Sequence, residues 1–146
     1  MRIAMIAALF ALLLPPAIVL AAPPSGSLYV DGGQSPVGIV LIPGRGQKPD
    51  GVVVGPMRKT LNKTAGFHTV SIQLPATTAI DKVTPEVQLA ELKSIYPEAR
   101  ATILAAADFL RQEHGVKHVY LVAHSMGSTI AATMLVALKF ASACAS

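Results

Sequence analysis

The sequence predicts an α/β fold built on a mostly parallel sheet. Three observations predict it. Strand-like and helix-like segments alternate between residues 37 and 140, the pattern of strands joined by crossover helices. The first strand, Val37 to Ile42, is apolar and β-branched without polar alternation, as in a strand covered on both faces. The apolar run Val119 to Val122 passes through Ala123-His124-Ser125-Met126-Gly127 directly into a helix-forming run that reaches Phe140.

The elements follow in order. Met1-Arg2, the apolar run Ile3 to Leu14, Pro15-Pro16 and the small residues at Ala21 and Ala22 read as a signal peptide over residues 1–22, cleaved near Ala21 or Ala22. A secreted or periplasmic protein is expected. The alternative is an uncleaved membrane anchor, but Pro15 and Pro16 interrupt the roughly 20 apolar residues that a span needs, so no stable span is expected after cleavage. Residues 23–36 form a linker with a short edge strand at Leu28-Tyr29-Val30, stopped by Asp31-Gly32-Gly33. After Val37 to Ile42 comes Pro43-Gly44-Arg45-Gly46. Pro56 suits a first helical residue. Met57, Leu61 and Ala65 recur at helical spacing, Arg58, Lys59, Asn62 and Lys63 lie opposite on a solvated face, and Gly66 closes the helix.

Phe67 to Leu74 reads as a strand stopped by Pro75. Thr84-Pro85-Glu86 is a helix start, and Val87, Ala90 and Glu91 support a short helix. Pro97 to His114 is the clearest helix, with Ile103, Ala106, Ala107 and Leu110 on one face and Gly115 after it. Lys117 to Ala123 is the next strand. The last helix, Met126 to about Phe140, is apolar nearly all round and is expected to be buried. The domain is thus placed at residues 37–140, with a tail over residues 141–146.

The bulk composition excludes several classes. The chain has 146 residues, 52% hydrophobic and 14% charged, which opposes intrinsic disorder and fits about one domain. Its net charge is +4 and falls to +3 once Arg2 is removed. The basic residues are scattered with little aromatic interleaving, so no nucleic-acid partner is expected. Cys144 is the only cysteine, which rules out an intrachain disulfide and a thiolate metal site. No metal site and no cofactor are expected.

The chemistry centres on Ser125. A strand, a small residue, any residue, Ser, any residue, Gly and then a helix is the pattern of a nucleophile elbow. Ala123 and Gly127 satisfy the demand for small side chains around so tight a turn. The Met126 N–H then faces the place where an oxyanion would form. The alternative is a serine that only caps the last helix. Pro43-Gly44-Arg45-Gly46-Gln47 leaves the same carboxyl edge of the sheet, and the N–H of Arg45 or Gly46 is the natural second oxyanion donor. Gly44, Gly46 and His124 are expected to line the substrate pocket. A dinucleotide loop is excluded because Pro49 stands where its third glycine belongs, and the P-loop pattern is not met.

These residues resemble the amino-terminal half of an α/β-hydrolase-fold protein, in particular secreted bacterial α/β-hydrolase-like proteins. The resemblance covers residues 37–140 and implies a three-layer sandwich, truncated relative to the full α/β-hydrolase fold. It implies Ser125 as nucleophile, Met126 and Arg45 as backbone oxyanion donors, and a small-molecule ester or acyl substrate. The first loop departs from the family in having Pro43-Gly44 where many members have His-Gly. The family places its acid and histidine after the serine, yet none of the 21 residues after Ser125 is Asp, Glu or His. His68, His114 and His118 are expected at the opposite edge of the sheet, beyond hydrogen-bond reach. His124 is expected as a pocket wall, and Asp81 and Glu86 as solvated acids. The resulting expectation is an esterase- or lipase-type serine hydrolase whose triad is incomplete in this chain. The alternatives are a non-catalytic ligand-binding module on the same fold or a truncated reading frame. The strand Lys117 to Ala123 is central in the family's order, so self-association through its exposed edge is expected.

Overall fold

A computed structural model describes residues 22–143. The expected signal segment, apart from Ala22, and Cys144 lie outside them. The elements are β1 (Leu28–Val30), β2 (Val37–Ile42), α1 (Val54–Ala65), β3 (His68–Ser71), a single 3-10 turn at Ile80–Lys82, α2 (Pro85–His114), β4 (His118–Ala123) and α3 (Met126–Ala143).

Together they make a small α/β domain around a four-stranded sheet of order β1-β3-β2-β4. β2 pairs in parallel with β3 and with β4, whereas β1 pairs antiparallel with β3. The sheet is therefore mixed, with two parallel pairings and one antiparallel pairing at the β1 edge. The reason is the link. Only residues 31–36 join β1 to β2, and a parallel crossover needs a dozen or more residues. A link this short stays on one edge of the sheet and reverses the chain.

β2 is central, and its unbroken apolar sequence has a use on each side. Val40 and Ile42 pack with Val70, Ile72 and the buried faces of α2 and α3. Ile39 and Leu41 pack with Val54 and Leu61 of α1. Alternate residues of a strand point to opposite faces, so both faces require apolar residues.

Several elements differ from expectation. α1 begins at Val54, two residues before Pro56, and both Val54 and Gly55 are buried. Arg58 is buried rather than solvated, because its Nη2 donates to Asp50 Oδ1 at 2.7 Å. β3 is shorter than residues 67–74, because its ladder with β2 ends where Ile72 N–H donates to the Leu41 carbonyl at 3.1 Å. The short helix and the Pro97 helix are one continuous α2 with Pro97 inside it. Ile95, Ala99, Ile103, Ala106, Phe109 and Leu110 form a buried stripe across that proline, and this burial offsets the roughly 3 kcal/mol that an interior proline costs. α3 runs on to Ala143, past the expected tail boundary. Its buried side is Met126, Ile130, Ala131 and Met134, while Leu135 and Val136 are more than half exposed. The expected all-round burial fails because no described element covers the outer side of α3. Among the described residues no helix is long and apolar enough to cross a membrane.

Candidate functional site

The parallel register of β2 and β4 builds the site. Ile42 stands opposite Ala123, and the His124 N–H donates to the Ile42 carbonyl at 3.0 Å. The loops that follow, Pro43 to Gly46 and His124 to Gly127, therefore leave the same edge side by side. Open α/β sheets place ligands at this carboxyl edge.

The turn between β4 and α3 is tight. Ser125 has φ of 52° and is the only non-glycine residue with positive φ among the described residues. That conformation costs an L-residue about 1–2 kcal/mol. Helical hydrogen bonding begins at once, with the Gly127 N–H on the His124 carbonyl at 3.0 Å and the Ser128 N–H on the Ser125 carbonyl at 2.9 Å. Two glycines let the loops meet. A Cβ on Gly127 would lie 2.5 Å from the Pro43 carbonyl oxygen and 2.7 Å from that of Ile42. A Cβ on Gly44 would lie 2.9 Å from His124 Nδ1 and 3.2 Å from Ser125 Cβ. Ser125 and His124 are exposed, whereas the Met126 side chain is buried.

The backbone donors can be sorted by what they already bind. The Gly46 N–H donates to Thr77 Oγ1 at 3.0 Å. Among the described residues, the N–H groups of Arg45 and Met126 make no hydrogen bond. An N–H at a helix start has no partner within its own helix, so the Met126 N–H is open to a ligand.

The Arg45 side chain turns away from this task. Its Nη1 pairs with Glu91 Oε2 and lies 3.4 Å from the Thr78 carbonyl. Glu91 Oε1 also accepts the Thr78 N–H. Burial alone would push the Glu91 carboxyl up, but the Thr78 N–H and the Arg45 guanidinium hold it below the usual carboxylate range. From the sequence, Glu91 reads only as one of the residues that support a short helix. An acid on the apolar side of an amphipathic helix, six residues after its start, was the available signal.

The remaining candidates stand apart. His68 pairs with Gly38 and His118 with Val37, which puts both at the amino edge, and His114 lies there too. Asp81 is exposed on the 3-10 turn, and Glu86 is exposed in the first turn of α2. Its own backbone N–H and the Thr84 side chain hold the Glu86 carboxyl low. Among the described residues nothing hydrogen-bonds the Ser125 hydroxyl.

Two concavities lie near the turn from β4 into α3. One of about 310 Å³ is lined by Gly44, Gly46, Gln47, Gln73, Pro75 and Thr77. The other, about 380 Å³, is a mainly apolar groove between α2 and α3 that includes Leu92, Tyr96, Thr129, Ile130 and Thr133. Comparison of the chain with protein-family models, with curated proteins and with solved structures finds no match.

Proposed function

We propose that this chain carries the nucleophile half of an esterase- or lipase-type serine hydrolase, on a three-layer fold of the α/β-hydrolase kind. The observation that carries the reading is the left-handed Ser125 between β4 and α3, with Gly44 packed against it. Such a turn holds the hydroxyl outward, and strained residues of this type cluster at functional sites.

In this reading Ser125 Oγ attacks the carbonyl carbon of an ester. The N–H groups of Met126 and Arg45 then stabilise the oxyanion. Gly44, Gly46 and His124 border the substrate, and the groove that starts at Thr129, one turn beyond Ser125, takes an apolar acyl group. The substrate class is a small ester or acyl compound. The apolar leader at residues 1–22 assigns the protein to a secreted or periplasmic location.

No described imidazole is bonded to Ser125, so its hydroxyl is unactivated. Turnover by the chain alone is slow. Hydrolysis of a p-nitrophenyl ester, measured with and without added imidazole, tests this. We expect added imidazole to enlarge the difference in rate between the parent and Ser125→Ala. Equal rates in the two proteins under both conditions would rule out a nucleophilic Ser125.

The unactivated hydroxyl and the 310 Å³ cleft beside the first loop also support a second reading, a ligand-binding module without chemistry. In that case an ester analogue stabilises the parent and Ser125→Ala equally in a thermal-shift titration.

A further inference from the structure

A second group of polar side chains meets at the amino edge of the sheet, where β1 ends, β3 begins and α2 ends. The Tyr29 hydroxyl oxygen lies 2.7 Å from His68 Nδ1, 3.1 Å from His114 Nδ1 and 3.2 Å from Asp31 Oδ1. His68 Nδ1 lies 3.5 Å from Asp31 Oδ1. The ligand atoms of Asp31, His68 and His114 are all within 4.8 Å of one another.

The surroundings hold these groups in place. A Cβ on Gly32 would fall 2.3 Å from the His68 backbone nitrogen, so only glycine lets the Asp31 turn press onto β3. Asn62 Nδ2 donates to the Asp31 carbonyl at 2.6 Å and to the Phe67 carbonyl at 3.0 Å. Phe109 packs edge-on against both Tyr29 and His114. Gly115, in the left-handed region, ends α2 immediately after His114.

The hydrogen bonds also orient the lone pairs. The Gly32 N–H donates to His68 Nδ1 at 3.1 Å. That bond marks Nδ1 as the unprotonated nitrogen, and a cation bound there would take over the lone pair that now accepts the Gly32 N–H. The Gly33 N–H donates to Asp31 Oδ1 at 2.8 Å, which favours the ionised carboxylate. His68 is fully buried while Asp31 is exposed, so the cluster is dry on one side and open to solvent on the other.

We propose that Asp31, His68 and His114 bind a divalent transition-metal ion of the zinc class, with the Tyr29 oxygen as fourth ligand. Tetrahedral zinc with bonds of roughly 2.0–2.2 Å sets its ligand atoms about 3.3–3.5 Å apart. Of the six separations among the four atoms, those of 3.1, 3.2 and 3.5 Å are close to these values, Tyr29 to His68 at 2.7 Å would have to open by more than half an ångström, and the two that join His114 to His68 and to Asp31 lie within 4.8 Å. Two imidazoles with a carboxylate and a phenol oxygen suit zinc, whereas magnesium and calcium prefer oxygen ligands throughout. The Tyr29 phenol would enter the site as the phenolate. Coordination breaks its O–H bond and forms an O–metal bond, and one proton passes to solvent. The ion ties β1, a strand of only three residues, to the end of α2. Its effect falls on stability, since Ser125 stands at the opposite edge.

The test is calorimetric titration of the chelator-treated full chain with Zn²⁺ in two buffers of different ionisation enthalpy. We expect one ion per chain, release of one proton and a higher thermal midpoint. Co²⁺ should give the intense visible absorption of four-coordinate binding. Asp31→Asn and His114→Gln, each checked for an unchanged circular-dichroism spectrum, should each weaken Zn²⁺ binding by at least about tenfold, the lower end of what losing even an outer-sphere partner costs. Unchanged affinity in both variants, or no binding by the parent at millimolar Zn²⁺, would overturn the proposal.

Discussion

The Arg45 guanidinium and the Glu91 carboxylate form a nearly dry ion pair, with side chains 8% and 11% exposed. The pair fastens the first loop of the carboxyl edge to the second turn of α2. Through Thr78 it also fixes the segment between β3 and α2. In the proposed site Arg45 would therefore act through its backbone, since its side-chain charge is already neutralised. An anionic ligand near this loop would find Lys48, which is exposed, rather than Arg45.

Glu91→Gln is expected to destabilise the domain by about 1.5–3 kcal/mol at neutral pH, the range for hydrogen bonds to charged groups. The effect has a definite pH dependence. The Glu91 carboxyl is held below its ordinary value in the folded chain. A group with a depressed folded value contributes its full stability above its unfolded value, about 4.3, and loses it as the pH falls through the folded value. Urea midpoints should therefore differ between parent and variant by a constant amount above about pH 5.5 and converge only as the pH falls beneath the unfolded value and through the lower folded one. A difference that stays the same at acid pH would show that ionisation of Glu91 contributes nothing.

Gly127→Ala is expected to cost about 1–3 kcal/mol or more, the range for overpacked sites. Its new Cβ would meet two backbone carbonyls of the first loop, and carbonyls cannot swing aside as the end of a side chain can. Equilibrium urea unfolding measures the loss. A variant as stable as the parent would mean that the two loops are not in contact. Gly44→Ala should be milder, since its Cβ meets the His124 ring and Ser125 Cβ, and a ring can rotate.

Ser125→Gly is expected to stabilise the fold by about 1 kcal/mol, because glycine adopts positive φ without the penalty that an L-residue bears. Ser125→Ala should leave stability nearly unchanged, since alanine carries the same backbone penalty. The comparison of these two variants isolates backbone strain from loss of the hydroxyl. Equal stabilities would show that the turn is relaxed.

What could be read from the sequence follows from range. The β2 run, the left-handed cap at Gly66, the Thr84-Pro85 start and the Gly115 stop are local signals, and each stands where its residues place it. The tight turn from β4 into α3 at Ser125 is local too, since a strand, a small residue and an immediate helix lie within ten residues. Long-range pairing was not legible. Arg45 and Glu91 are 46 residues apart, and Tyr29 and His114 are 85 apart. Pro97 misled because local chemistry says that a proline ends or begins a helix, whereas the buried stripe from Ile95 to Leu110 extends past it. α3 misled because an apolar composition reports what a helix can bury, not what is there to cover it.

That exposed apolar surface carries the last prediction. β4 is an outer strand of the sheet, and no described strand pairs with its far edge. Tyr120 on it is 56% exposed, and Leu135 and Val136 of α3 are exposed by similar amounts. An open edge with unpaired backbone groups and apolar side chains is a template for another strand, and contiguous apolar surface adds to the attraction. The protein is expected to form dimers or larger species whose size grows with concentration in multi-angle light scattering. Tyr120→Lys places a charge on the edge without touching the core, and should shift that distribution toward monomer. A parent protein that stays monodisperse and monomeric across the concentration range would show that the edge is protected, and a Tyr120→Lys variant that associates as strongly as the parent would move the contact from β4 to α3.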